Sequence, residues 1–293
     1  MKKSSGLVIV KKINHMRRIG NNIRITINKL IVSYNDQGPD DAPVIIFIHA
    51  FPLNKSMWDI QMDALKEDYR VVAYDIRGHG NSDPGSDDFF IELFVNDLLR
   101  LMEKLGIEKP ILCGLSLGGY IALNAVLKYP DRFDGLILND TQCIADTLEI
   151  KENRCMAIIR IMKKGVEEYA DEIIKNLFAP GSFTKKGNAI AGVKEMIINT
   201  PKQSLCSTLH ALAQRKETCT QLPEINIPVL IMVGKEDKIT PIAAAQQMHE
   251  NIRGSKLKII QHAGHVSNLE NPAAFNFQLV KFLELVSKNH LLK

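Results

Sequence analysis

Three side chains able to carry out acyl transfer stand far apart in this sequence: Ser116 in CGLSLGGY, Asp237 in GKEDKITP and His265 in HAGHVSNLENP. A serine hydroxyl is a weak nucleophile until a base removes its proton, and imidazole is the base suited to neutral pH. An acid behind the imidazole fixes its tautomer and stabilises the imidazolium formed during reaction. Gly114 and Gly118 flank the serine and leave room for a sharp turn that would expose its oxygen. The oxyanion of a tetrahedral intermediate needs backbone N–H donors. The amides of Leu117, just after the serine, and of Phe51, just after His49-Ala50, are the natural pair. Each assignment has a rival. A serine ahead of a helix also reads as an N-cap; His262 rivals His265 as base, and Glu236 and Asp140 rival Asp237 as acid.

Such residues act together only if the chain delivers them to one place. After an alternating stretch, IRITINKLIVSYND, that reads as a hairpin, and the turn-rich QGPDDAP, come continuous apolar runs. They are VIIFIHA (44–50), YRVVAYD (69–75), PILCGL (110–115), FDGLILND (133–140), PVLIMVG (228–234) and LKIIQHAGH (257–265). Runs of this kind are the signature of strands buried on both faces. Helical patterns at 89–105, 116–129, 241–252 and 272–287 separate most of them. The alternation predicts an α/β protein, a doubly wound, mostly parallel sheet of about eight strands flanked by helices. Ligand sites in such sheets lie outside the carboxyl ends of the strands, where the third, fifth, seventh and last strands deliver HAFP, Ser116, Asp237 and His265. Between LILND and PVLIMVG the chain reads as four helices with no strand. A helical insertion at a strand's carboxyl end is a candidate lid. The expected division is a basic extension over 1–23, a core over 24–142 and 223–293, and a helical lid over 143–222.

The 293 residues, 45% apolar and 24% charged, are those of an ordinary globular protein, and no apolar run approaches the roughly 20 residues that span a bilayer. The formal charge of +4 is a local feature. Residues 1–30 hold eight Lys or Arg and no acid, and 29 basic against 33 acidic residues remain. This pattern argues for a solvated leader and against a nucleic-acid-binding face. The apolar piece GLVIV is too short for a signal peptide. Cys113, Cys143, Cys155, Cys206 and Cys219 show no CxxC spacing. They read as unpaired, in a reducing compartment and away from any zinc site, so the expected location is cytoplasmic.

The motifs HAFP, DIRGHGNSD (75–83), GLSLGG (114–119), GKEDKITP and GHVSNLENP, in this order, resemble the α/β-hydrolase superfamily over roughly residues 24–288. HAFPLNKSMWDIQ and GHVSNLENP are similar to its small-molecule branch, which holds 3-oxoadipate enol-lactonases and haloperoxidase-type carboxylesterases. The resemblance implies hydrolysis of a small carboxylic ester or lactone through an acyl-enzyme, without metal or organic cofactor. It makes His49 and His79 loop organisers rather than metal ligands. A serine at 116 sets the chain apart from relatives that form alkyl-enzyme esters on an aspartate. One departure is His49-Ala50 where the family usually carries His-Gly. Perhydrolysis, carbon–carbon bond hydrolysis and ligand reception use the same framework and are the alternatives. Trp58 and Phe51 are the candidate substrate contacts; Arg154 and Arg160 on the insertion either meet a substrate carboxylate or face solvent.

Overall fold

The order of the strands explains how distant residues converge. In the computed structural model, which describes residues 17–86 and 88–291, eight strands form one sheet in the order β1-β2-β4-β3-β5-β6-β7-β8. They are β1 (Gly20–Ile27), β2 (Leu30–Gln37), β3 (Val44–Ile48), β4 (Arg70–Tyr74), β5 (Ile111–Leu115), β6 (Gly135–Asn139), β7 (Val229–Gly234) and β8 (Lys256–Ile260). β1 and β2 form an antiparallel hairpin, β2 runs antiparallel to β4, and every other pairing is parallel. The hairpin turns on Asn28 and Lys29, both at positive φ, as a two-residue turn matched to strand twist demands. β4 to β7 are buried throughout, which is why they read as unbroken apolar runs. β8 closes one edge and exposes Lys256 and Lys258, charges that discourage pairing with another chain.

Helices α1 (Asp59–Leu65), α2 (Ile91–Leu105), α3 (Leu117–Lys128), α9 (Ile242–Asn251), α10 (Ser267–Glu270) and α11 (Pro272–Leu291) flank the sheet. Five more, α4 (Leu148–Lys164), α5 (Val166–Leu177), α6 (Ser182–Lys185), α7 (Gly187–Ile198) and α8 (Lys202–Gln214), lie between β6 and β7. α1 has no counterpart in the periodicity reading. It follows a 3₁₀ turn, Lys55–Trp58, capped by the Asn54 side chain, which accepts from Ser56 N. That turn drives Trp58 inward, with its ring 5.0 Å from Phe47 of β3 and 6.1 Å from Phe275 of α11. Fully buried, Trp58 is a core residue between sheet and helix, which corrects its assignment as a substrate contact.

Two other expectations change. β1 begins at Gly20, ahead of the expected boundary at 24, and Arg17 pairs with both Asp36 and Asp40; the remainder of the basic leader, residues 1–16, lies outside the described residues. The cysteines are not all unpaired either: Cys143 and Cys219 form a disulfide, with Cα atoms 4.9 Å apart and a sequence separation of 76. They bracket the insertion where it leaves β6 and returns towards β7, and Thr218 N donates to Cys143 O at the same neck (2.9 Å). A disulfide persists in oxidising surroundings, which removes the cysteine argument for a reducing compartment. Among the described residues no helix is long and apolar enough to cross a membrane. Arg154 and Arg215 close on the buried Asp146 beside the neck, and the Arg215 guanidinium lies 3.9 Å above the Tyr120 ring. Arg154 is therefore held by Asp146, while Arg160 pairs with Glu172 at 3.1 Å on the surface.

Candidate active site

The sheet order reverses between β4, β3 and β5, and a crevice opens at such a switch point. β3 leads there into His49-Ala50-Phe51 and β5 into Ser116, and the two strands are direct neighbours. Ser116 alone makes the turn from β5 to α3, at φ 53° and ψ −111°. Its N–H donates to Asn139 O, while Tyr120 N and Thr141 Oγ1 donate to its carbonyl, all at 3.0 Å. A side chain at Gly114 would overlap the Gly118 carbonyl, and one at Gly118 the Ile48 carbonyl, so the turn closes only with glycine at both positions. The hydroxyl makes no cap bond to α3. It meets His265 Nε2 at 2.9 Å instead.

His265 lies beyond β8, its ring buried, with Nδ1 2.9 Å from Asp237 Oδ2. Burial alone would lower the imidazole pKa, but the Asp237 carboxylate overrides it and the net shift is upward. Asp237 follows β7. Its Oδ1 accepts from the amides of Ile239 and Thr240 (2.8 and 3.0 Å), and its Oδ2 from Thr240 Oγ1 (2.7 Å). Burial pushes against the charged form here as well, yet His265 and these donors hold the acid below its ordinary value. Nδ1 therefore carries the proton towards Asp237, and Nε2 faces the serine as an acceptor.

The rival residues stand elsewhere. His262 lines a separate surface cavity of about 280 Å³ together with Lys185 and Glu236. Asp140, at the end of β6 in a left-handed backbone (φ 43°), bridges the two loops without bonding the ring. Its Oδ1 accepts from Gly234 N at 2.7 Å, and its Oδ2 from Ser267 Oγ at 2.5 Å and Ser267 N at 3.3 Å. Burial, reinforced by nearby Asp237, pushes its carboxyl up to about 8. An acid raised in this way stabilises the fold fully below the ordinary carboxylate range, and loses that contribution as the pH rises towards its folded value. Asp140→Asn cannot ionise. Its Tm relative to wild type is expected to climb as the pH is raised from about 4 to about 8; a difference that stays flat across that range in thermal melts would mean Asp140 is charged throughout.

Ala50 lies outside the left-handed region, unlike Ser116 and Asp140, so alanine introduces no strain at this position. Its carbonyl accepts from Leu53 N and from His49 Nδ1, both at 2.9 Å, and His49 Nε2 accepts from Ile76 N at 2.9 Å. Those bonds need a neutral imidazole, and burial followed by the neighbouring His79 drives the His49 pKa well down. They also fix the Ala50–Phe51 peptide plane. In a trans peptide N–H and C=O point in opposite directions, so the Phe51 amide faces away from Leu53 and His49. The Phe51 ring packs edge-on to His79 at 6.0 Å. Leu117 is the first residue of α3, where a helix amide has no partner within the helix. The parts sequence reasoning did not find are the bridge made by Asp140 and the two bonds from Thr240 to Asp237. A polar cavity of about 800 Å³ lies apart from this site, among Asn22, Asn35, Lys55, Asp75 and Asn81.

Residues 43–176 match a family model described as alpha/beta hydrolase fold, and residues 195–289 match that of a TAP-like protein. 3-Oxoadipate enol-lactonase 1 of Acinetobacter baylyi is 30% identical over 244 residues, 83% of this chain and 90% of that protein. Its companion, 3-oxoadipate enol-lactonase 2, is 28% identical over 252 residues, 86% of this chain and 92% of its own. A solved thermophilic esterase from Thermogutta terrifontis superposes with a TM-score of 0.85 at 31% identity, covering 90% of this chain and 98% of that one. The enol-lactonase from Burkholderia xenovorans LB400 gives 0.84 at 26% identity, covering 89% and 100%.

Proposed function

Because this chain belongs to the α/β-hydrolase superfamily, we propose that it is a serine hydrolase that cleaves a small carboxylic ester or lactone through an acyl-enzyme on Ser116. The observation that carries this reading is the unbroken path from Ser116 Oγ to His265 to Asp237, at 2.9 Å for each step. The path is made by a hydroxyl that could have capped a helix and does not. His265 Nε2 takes the Ser116 proton as the oxygen attacks the carbonyl carbon, and the Phe51 and Leu117 amides receive the developing oxyanion. His265 then returns the proton to the leaving alkoxide and activates the water that frees the acid. Asp237 keeps the ring in the required tautomer and stabilises the imidazolium. The 143–222 insertion forms the lid over the core of 24–142 and 223–293, and shapes the acyl and alcohol pockets. The two enol-lactonases and the esterase among the relatives support carboxylic-ester or lactone substrates.

The acyl-enzyme is directly testable. Rapid quenching of the protein with p-nitrophenyl acetate is expected to release a burst of p-nitrophenol equal to the enzyme concentration, with acetyl on the peptide that carries Ser116. Steady hydrolysis with the acetyl group on any other residue would defeat the assignment.

A further inference from the structure

Glu270 is a buried carboxylate that the reaction does not use. It ends α10, five residues after His265, and is 2% exposed. Its Oε1 accepts from Gly264 N at 2.6 Å. Its Oε2 reaches into the insertion, accepting from Ala179 N at 2.8 Å and Ser182 Oγ at 2.6 Å. One side chain thus joins the residue before His265 to the turn between α5 and α6. The same turn touches the histidine directly, since His265 N donates to Leu177 O at 2.8 Å. The approach is too close for any residue but glycine at 264, where a Cβ would stand 2.7 Å from Ala179 N and 3.0 Å from Leu177 O. On the far side Asp140 holds Ser267, two residues after His265. The imidazole is therefore carried on a loop gripped at both flanks, from the sheet by Asp140 and from the insertion by Glu270.

We infer that Glu270 is a positioning residue that locks the Leu177–Ser182 turn of the insertion to the His265 loop, so that the base is aligned on Ser116 only while the insertion is seated. The inference rests on the serine-hydrolase reading above. Three donors converge on one acceptor-only group. A glutamine of the same shape satisfies one side of the bridge and presents an N–H to the other. Burial raises the Glu270 pKa, and the Ser182, Ala179 and Gly264 donors oppose that rise. Glu236, His262, Lys185 and Lys186 surround it along the 280 Å³ cavity. His265 is faced by Asp237, Asp140 and Glu270; Asp237 favours its charged form most, Glu270 adds to it, and Asp140 does so only where its own raised carboxyl is ionised.

The test measures p-nitrophenyl acetate hydrolysis across pH, together with the rate at which a fluorophosphonate labels Ser116, in wild type, Glu270→Gln and Ser182→Ala. Small misplacements of a reacting group lower turnover by up to about a hundredfold. Glu270→Gln is expected to lower kcat and the labelling rate by about tenfold or more, with KM far less affected. Removing the negative charge also lowers the His265 pKa, so the acid limb of kcat/KM moves to lower pH. Ser182→Ala keeps the charge, so a few-fold loss with an unmoved limb is expected. Wild-type labelling and an unmoved limb in Glu270→Gln overturn the inference while leaving the hydrolase reading intact. If Glu270→Gln does not fold, Ser182→Ala decides: slowed labelling upholds the inference, and labelling at the wild-type rate overturns it. A wild-type protein that neither turns over nor is labelled removes the hydrolase reading and the inference together.

Discussion

Replacing Ser116 with alanine is expected to lower turnover of p-nitrophenyl acetate by roughly ten-thousand-fold or more, because a nucleophile and its base act as a unit and lose their effect together. The loss falls on kcat. The Phe51 and Leu117 amides and the walls of the site remain, so substrate binding changes little and a small rate above background survives. The fold is expected to survive as well, since the Ser116 hydroxyl caps no helix. A companion variant separates chemistry from strain. Ser116 sits at φ 53° and ψ −111°, a conformation that costs an ordinary residue about 1–3 kcal/mol but is open to glycine. Ser116→Gly is therefore expected to be as inactive as Ser116→Ala and to melt several degrees higher. Alanine and glycine variants that melt together, or an alanine variant that turns over at the wild-type rate, would contradict the account of this turn.

Loss of the Cys143–Cys219 bond is expected to be the largest effect on stability. In the chain-entropy view, closing a loop of this size removes about 4 kcal/mol of freedom from the unfolded chain. For a domain of this size each kcal/mol corresponds to about 2–4 °C, so a thiol reductant or the double substitution Cys143→Ser, Cys219→Ser should lower Tm by about 10 °C. Activity at 25 °C is expected to change little. β6 and β7 pair directly and Thr218 N bonds Cys143 O, so the ends of the insertion are already held together while the core is folded. Thermal melts with and without reductant decide the point, and identical curves would mean that the two thiols are not joined in solution.

How far the molecule is legible in its sequence depends on the kind of interaction. β4 to β7 are legible because strands buried on both faces must be apolar at every position. The turn at Ser116 is legible because only glycine fits beside it. Trp58 is not legible in this way, because an aromatic residue near a strand end looks alike in a pocket wall and in a core; the Asn54 cap and the packing of Phe47 and Phe275 decide it, and Phe275 lies more than two hundred residues away. The disulfide has no spacing motif. Its only sequence signal is positional, since Cys143 and Cys219 stand at the two ends of a strandless stretch whose flanking strands turn out to be neighbours. Asp140 and Glu270 read as an alternative acid and an unremarked motif residue. Their bridging roles come from backbone amides that approach from three different loops, and no side-chain pattern announces those.

The narrow neck of the insertion bears on how such a molecule can change. The whole of α4 to α8 leaves and re-enters the sheet through two points 4.9 Å apart, about the spacing of adjacent strands. Any helical segment whose ends meet at that spacing fits the same socket, and doubling its length adds only about 0.6 kcal/mol of closure entropy. The insertion, about a quarter of the chain, is thus exchangeable as a unit, while Ser116, Asp237 and His265 stay on a sheet that the exchange does not touch. The contacts at Leu177, Ala179 and Ser182, and the stacking of Arg215 on Tyr120, must be remade. New substrate ranges can then arise by grafting, with the seat on the His265 loop as a condition that a graft has to meet.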